Sequence, residues 1–310
     1  MKFLVTGVNG QLGYDVAREL LTTGHECVGS DITQAYAGAS DFSFIAQMRY
    51  VCLDITDRDS VMRTIAEIRP DVVIHCAAWT AVDLAEEEEN AGKVRAVNAG
   101  GTKNIAQACR AVSCKMMYIS TDYVFDGQGE TPWTPDCKNF APLNVYGQTK
   151  LEGELAVSSA LEKFFIVRIA WVFGANGNNF VKTMINAGQK HREVRVVNDQ
   201  IGTPTYTKDL ARLLVDISIS EKYGVYHATN EGGYISWYDF CREIYRLCGL
   251  ETKVIPVTTR EYGLSKAARP FNSRLDKSKL LENGFTPLPT WQDALARYLA
   301  EGRGQISDFR

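Results

Sequence analysis

The chain has 310 residues, 45% of them hydrophobic, with 34 basic against 37 acidic side chains and a formal net charge of −3. That length and apolar content suit one large soluble domain or two smaller ones, each with a proper core. The charge balance, with no stripe of Lys and Arg, argues against nucleic acid as a partner. No apolar run reaches the length of a membrane span or a signal segment, so a cytosolic protein without a membrane partner is expected.

In chain order, the short apolar strand KFLVT runs directly into Gly7, Gly10 and Gly13, and then into a helical pattern with Leu12, Val16, Leu20 and Leu21 on one face. Glycines at this spacing allow a tight turn and let a pyrophosphate approach the backbone, while the helix N-terminus offers free N–H groups to the anion. A second strand, HECVGSD, ends in Asp31, about where an acid would hydrogen-bond the adenosine ribose of a dinucleotide. Asp31 favours NADH slightly over NADPH, because a 2′-phosphate would want a basic neighbour and none follows closely. The plainer alternative is that Asp31 caps a turn. Residues 33 to 49 read as a polar loop with a short helix.

YVCLDITD supplies a third strand whose terminal Asp54 and Ile55 could contact an adenine, and Asp57 or Asp59 is placed to cap a helix from Ser60 to Ile68. DVVIHCAAW is almost wholly apolar, as a strand buried on both faces should be. Its small Ala77 and Ala78 would let a nicotinamide ribose lie against the backbone. His75, inside the strand, reads as a satisfied core histidine, and Glu86 to Glu89 as the solvated start of a helix. A long helix through Val94, Val97 and Ile105 leads to KMMYIS, which delivers Ser120, Thr121 and Asp122 at its carboxyl end, the edge where open α/β sheets place ligands. Tyr146 and Lys150, four apart at the start of a further helical segment, share a face. A phenol beside an ammonium can handle a proton, and the lysine should move the tyrosine from about 10 toward working pH. The alternation of strand and helix predicts an α/β, doubly wound parallel sheet of Rossmann-like type. The eight cysteines include no C-x-x-C pair and no His at ligand spacing. They read as small hydrophobes rather than a disulfide framework or a zinc site.

The G-x-x-G-x-x-G turn, the Thr at the end of the fifth strand and the Tyr-x-x-x-Lys pair together resemble the extended short-chain dehydrogenase/reductases. The runs VTGVNGQLG, AAWTAVDLAE, STDYVFDG, NVYGQTKLEGE, RIAWVFG, NNFVKTM, DQIGTPTYT, ISWYDF and RPFNSRLD resemble, within that family, reductases of dTDP-4-dehydro-6-deoxy sugars that give dTDP-L-rhamnose. The resemblance implies hydride transfer from NADH or NADPH to a C4 ketone of a nucleotide sugar. Tyr146 would donate the proton, Lys150 would hold the nicotinamide ribose and lower the tyrosine's pKa, and Thr121 would hydrogen-bond the same oxygen. It implies a cofactor site of Gly7, Gly10, Gln11, Leu12, Gly13, Asp31, Asp54, Ile55, Ala77, Ala78, Trp79, Tyr146 and Lys150. For the substrate it implies Thr121, Asp122, Val124, Trp171, Asn179, Phe180, Arg269 and Asn272, with Arg269 on the diphosphate. Trp171 could equally be a core tryptophan at a domain seam.

Some members of that family form a magnesium-dependent homodimer through acidic residues, one of which aligns with Asp15. The shorter acid here gives no expectation of a metal and leaves a homodimer open. Another nucleotide-sugar reductase, or an epimerase or dehydratase on the same fold, is the alternative, but a dehydratase should add an acidic pair beside Thr121, and Asp122 is followed by Tyr123. A non-catalytic dinucleotide-binding regulator would have no need of all three of Thr121, Tyr146 and Lys150. The expected organisation is a dinucleotide-binding domain over 1–174, to which 206–230 returns, and a smaller, mainly C-terminal α/β substrate domain over 175–205 and 231–310.

Overall fold

The computed structural model describes residues 1–38 and 48–303. In the first half, β1 (Lys2–Thr6), α1 (Gln11–Thr22), β2 (Glu26–Asp31), β3 (Arg49–Cys52), α2 (Arg58–Ile68) and β4 (Val72–His75) are followed by α3 (Val82–Ala85), α4 (Glu88–Arg95), α5 (Thr102–Val112), β5 (Lys115–Thr121), α6 (Val145–Ala160) and β6 (Phe164–Ile169). The remainder contains β7 (Val172–Phe173), α7 (Phe180–Lys190), β8 (Glu193–Val197), β9 (Ile201–Gly202), β10 (Thr205–Tyr206), α8 (Thr207–Ile219) and β11 (Gly224–His227). It closes with β12 (Ile235–Ser236), α9 (Trp237–Cys248), β13 (Lys253–Val257), α10 (Thr259–Tyr262), α11 (Ser278–Glu282) and α12 (Trp291–Arg303).

Seven strands form one sheet of order β11-β6-β5-β4-β1-β2-β3, parallel at every pairing. Strand alternation splits the core into two layers. Phe3 and Val5 of β1 face a cluster with Val16 and Leu20 of α1 and Leu210 and Leu214 of α8, whereas Leu4 faces one with Ile65 of α2 and Ile105 of α5. A third apolar cluster lies among the later elements, where Phe173 and Val181 meet Phe240, Ile244, Trp291 and Leu295. There β8 pairs in parallel with β13 and β9 antiparallel with β12.

Local chemistry sets the boundaries. Asp57 caps α2 by accepting from the Asp59 and Ser60 N–H groups, and Ser236 with Asp239 forms a capping box at α9, which Gly249 ends in the left-handed conformation. Two expectations shift. The strand expected to run to Trp79 stops at His75, because its partner β1 ends at Thr6 where the chain turns away through Gly7. The single long helix expected before β5 is divided by a π-helical stretch, Ala96–Gly101. The helix expected within residues 33 to 49 falls largely outside the described residues. No helix among the described residues is long and apolar enough to cross a membrane.

Candidate active site

The glycine turn closes against the sheet edge so tightly that side chains are excluded. Gly7 has φ +71°, and a Cβ there would lie 2.6 Å from the Ala77 nitrogen, while a Cβ on Gly13 would overlap the Gly7 carbonyl. Gly10 is the N-cap of α1 and no side chain caps that helix, so its first N–H groups are free of a protein carboxylate or hydroxyl. A bare helix N-terminus behind a turn without side chains fits a dinucleotide pyrophosphate. Gln11 accepts from Asn179 Nδ2 at 3.1 Å, and Leu12 is buried in the core.

Asp31 closes β2 over this turn, its two carboxylate oxygens accepting from the Asn9 N–H at 3.0 Å and the Ile32 N–H at 2.8 Å. Asp54 lies beyond β3 and accepts from the Thr56 N–H and hydroxyl at 2.9 and 2.7 Å, while Ile55 packs into the core. Ala77 and Ala78 follow β4, partly buried. Trp79 is held by a side chain the sequence reading missed. Asn98, buried in the π-helical stretch, accepts from the Trp79 N–H at 2.8 Å and donates to the Trp79 carbonyl at 3.2 Å and to Thr149 Oγ1 at 3.1 Å. It thereby ties the segment after β4 to α6. A helix interrupted by a π-helical stretch was the only signal, and it is not one that apolar periodicity reveals. His75 is the core histidine expected: Nδ1 meets the Thr6 hydroxyl at 2.6 Å and Nε2 the Thr102 hydroxyl at 3.1 Å. Burial lowers it to about 3.

Thr121, Tyr146 and Lys150 come together at the carboxyl edge of β5. The fully extended N-cap Asn144 starts α6 by accepting from the Gly147 N–H at 2.8 Å, which aims the first turn, with Tyr146, at that edge. Thr121 donates to Asp122 Oδ1 at 2.9 Å and stands near enough to the Tyr146 phenol to lower its pKa. Lys150 Nζ donates to the Ile119 carbonyl at 2.6 Å and stands 4.1 Å from the centre of the Tyr118 ring. Burial pulls Lys150 down to about 7, with Glu154 and Cys76 opposing. The expectation that Lys150 draws the phenol toward neutrality is not met. Burial pushes Tyr146 above the ordinary tyrosine range, Asp122 and Tyr123 push the same way, and Thr121 opposes. The phenol is thereby held protonated, the state a proton donor requires. Asp122 is likewise raised by burial, to about 6, with Ser273 and Thr121 opposing.

A buried ion pair braces this edge from behind. Arg168 of β6 reaches both oxygens of Glu154 on α6, at 2.9 and 2.7 Å, and the Ser120 hydroxyl donates to the same carboxylate at 2.5 Å. The Arg168 guanidinium lies near both the Phe125 and Phe140 rings, at 5.0 and 5.2 Å from their centres.

The expected substrate residues divide. Arg269 reaches the same cleft wall, donating to Tyr123 Oη at 3.2 Å and to Asp83 Oδ2 at 2.6 Å; the Tyr123 ring stands edge-on to Tyr146 at 5.7 Å. Trp171 has φ +50°, rare for a bulky residue, and stacks on Trp237 at 3.7 Å, which places it at the seam with α9. Asn179 is the N-cap of α7, accepting from the Lys182 N–H at 3.1 Å and donating to the Gly174 carbonyl at 2.8 Å. Phe180 lies 4.5 Å from Trp237. Asn272 is buried and donates to the Gln128 and Thr131 carbonyls at 3.3 and 2.9 Å. Val124 is buried against Phe125, Ala170 and Leu275. Asp15 is buried and accepts from the Thr207 hydroxyl at 2.5 Å. The acidic run does more than solvate a helix start: Glu86 accepts from the Val145 N–H at 2.8 Å, and Glu87 pairs with Lys266 at 2.6 Å.

A Rossmann sheet whose fifth strand presents a threonine to a Tyr-x-x-x-Lys helix defines the short-chain dehydrogenase/reductase class. Comparison with known proteins narrows this. The chain belongs to the family described as the RmlD substrate binding domain, which it matches over residues 1–303. It is 40% identical to a dTDP-4-dehydrorhamnose reductase of Streptomyces griseus, over 95% of this chain and 91% of the relative. The solved structure of a dTDP-4-dehydrorhamnose reductase from Clostridium acetobutylicum shares 41% identity with a TM-score of 0.88, covering 98% of this chain and 100% of that one. One from Bacillus anthracis in complex with NADP shares 39% identity with a TM-score of 0.87, covering 97% and 100%.

Proposed function

We propose that the protein is an NAD(P)H-dependent reductase of the C4 ketone of a dTDP-4-dehydro-6-deoxy sugar, giving dTDP-L-rhamnose. The observation that carries this reading is the convergence of Thr121, Tyr146 and Lys150 at the sheet edge above the glycine turn, in a chain similar along nearly its whole length to reductases of that name. When bound, the nicotinamide supplies the hydride. Tyr146, kept protonated by its surroundings, gives its proton to the C4 oxygen as negative charge develops there. Thr121 hydrogen-bonds the same oxygen and fixes it against the phenol. Lys150 holds the nicotinamide ribose; with its pKa lowered to about 7, it carries a labile proton with which to resupply the tyrosine.

Gly7, Gly10, Gln11, Leu12 and Gly13 hold the pyrophosphate, Asp31 the adenosine ribose, Asp54 and Ile55 the adenine, and Ala77, Ala78 and Trp79 the nicotinamide side. The negative charge of Asp31 beside the turn favours NADH, although the Bacillus anthracis relative was solved with NADP. Arg269 takes the diphosphate, and Asp122, Trp171 and Phe180 line the sugar and nucleotide end, whose backbone Asn179 and Asn272 hold. Residues 1–174 with 206–230 form the dinucleotide-binding domain, and 175–205 with 231–310 close over the sugar. The protein works in the cytosol. The test supplies purified protein with dTDP-4-dehydro-L-rhamnose and follows NADH and NADPH absorbance: oxidation of either supports the reading, and oxidation of neither overturns it.

A further inference from the structure

The segment that carries Arg269 is fastened along its length to α3, to the cap of the helix that bears Tyr146 and Lys150, and to the loop after β5. The Ala267 N–H donates to Asp83 Oδ1 at 3.1 Å, and the Ala268 carbonyl accepts from Asn144 Nδ2 at 2.8 Å. Beyond Arg269, Pro270 lies so close to Gly127 that a Cβ on that glycine would overlap it, and the Asn272 N–H donates to the Gly127 carbonyl at 2.8 Å. Asp83 is the one side chain in this set that grips the segment twice: Oδ1 takes the backbone of Ala267, and Oδ2 takes the guanidinium of Arg269 at 2.6 Å.

Resting on the reading that Arg269 receives the diphosphate, we infer that Asp83 is a positioning residue for nucleotide-sugar binding. It holds the Arg269 guanidinium in the orientation that a diphosphate needs. The hydrogen bonds to Asp83 and Tyr123 use two of the five N–H donors of a guanidinium. Three remain for phosphate oxygens, and the side chain keeps 23% of its exposure, so a ligand can reach it. Without Asp83, an arginine on a flexible stem must be ordered when the ligand arrives, and that ordering weakens binding. A carboxylate beside an arginine also competes with phosphate for it. Asp83 is 43% exposed, so solvent screens that competition, whereas the geometric restraint does not depend on the dielectric.

The experiment measures dTDP binding by calorimetry and the KM for the nucleotide sugar in the full chain and in Asp83→Ala, Asp83→Asn, Arg269→Ala and the Asp83→Ala/Arg269→Ala double variant. Asp83→Ala should weaken dTDP binding and raise KM about fivefold, the effect of losing a partly exposed ion pair, with kcat altered less than KM. Asp83→Asn, which keeps an acceptor for Ala267, should fall between. In the Arg269→Ala background the Asp83 substitution should add nothing, a coupling that a purely structural role would not produce. Tighter or equal dTDP binding in Asp83→Ala, additive losses in the double variant, or no dTDP binding by the unaltered chain would overturn the inference. A chain that binds dTDP in an Asp83-dependent way yet reduces no ketone would leave the inference standing and refute the proposed activity.

Discussion

Glu154→Gln removes the charge that answers the buried Arg168. The guanidinium is 2% exposed and its partner 5%, and its other partners among the described residues are neutral, the Pro135 carbonyl at 3.2 Å and His227 Nε2 at 3.3 Å. Removing one member of such a pair leaves the other buried and unanswered, at a cost of about 3–5 kcal/mol. The amide keeps one acceptor for Arg168 or Ser120, so the lower end, about 3 kcal/mol, is expected. Replacing both partners together, as Glu154→Leu with Arg168→Met, should restore stability to within about 1 kcal/mol of the original, since an apolar pair strands no charge. Urea unfolding reads this as a midpoint shift at unchanged slope. Glu154 lies two turns beyond Tyr146 on α6 and holds Ser120, the residue before Thr121, so kcat should fall with stability in the single variant. A loss under about 1 kcal/mol in Glu154→Gln, or a double variant less stable than either single, would refute the reasoning.

Gly13→Ala places a methyl group on the Gly7 carbonyl, so it should cost about 2 kcal/mol of stability and weaken NADH binding, read by fluorescence titration. Gly92→Ala, in α4 with nothing within 4 Å of the new Cβ, should instead stabilise by about 0.5–1 kcal/mol. Asp122 is raised from 3.8 to about 6 in the folded protein. Between those values the folded chain binds more protons than the unfolded one, so stability is fully present below about pH 4 and is lost as pH rises through 6. Asp122→Asn cannot ionise, so it should be more stable than the original at pH 7.5 by up to about 3 kcal/mol, with the gap closing at pH 4. Thermal or urea unfolding at the two pH values checks this, and a gap independent of pH would count against the buried-carboxylate account.

What the chain disclosed in advance was local. The glycine turn, the alternation of strand and helix, the cap at Asp57 and the shared face of Tyr146 and Lys150 depend on neighbours a few residues apart, and apolar periodicity records them. Contacts across the fold left no such trace. Asp83 meets Arg269 across 186 residues, a separation that periodicity does not record, and Glu86 read as solvated because nothing nearby names Val145 as its partner. Spacing put Lys150 beside Tyr146 but could not say where the ammonium points, which is to the Ile119 carbonyl, nor that burial would govern the phenol. Asn179 and Asn272 show the same ambiguity: an asparagine in a polar segment can be a ligand, a helix cap or a backbone clamp, and here the side chains are engaged as cap and clamp.

The central claim is that Tyr146 delivers the proton in reduction of a nucleotide-sugar ketone. The most direct measurement compares kcat of the unaltered chain and Tyr146→Phe on dTDP-4-dehydro-L-rhamnose, with NADH and NADPH each at saturation. Loss of the positioned acid should lower kcat by about 10²–10⁴-fold while dinucleotide affinity changes little, with NADH the better donor in the unaltered chain. Equal kcat in the two proteins would contradict the account.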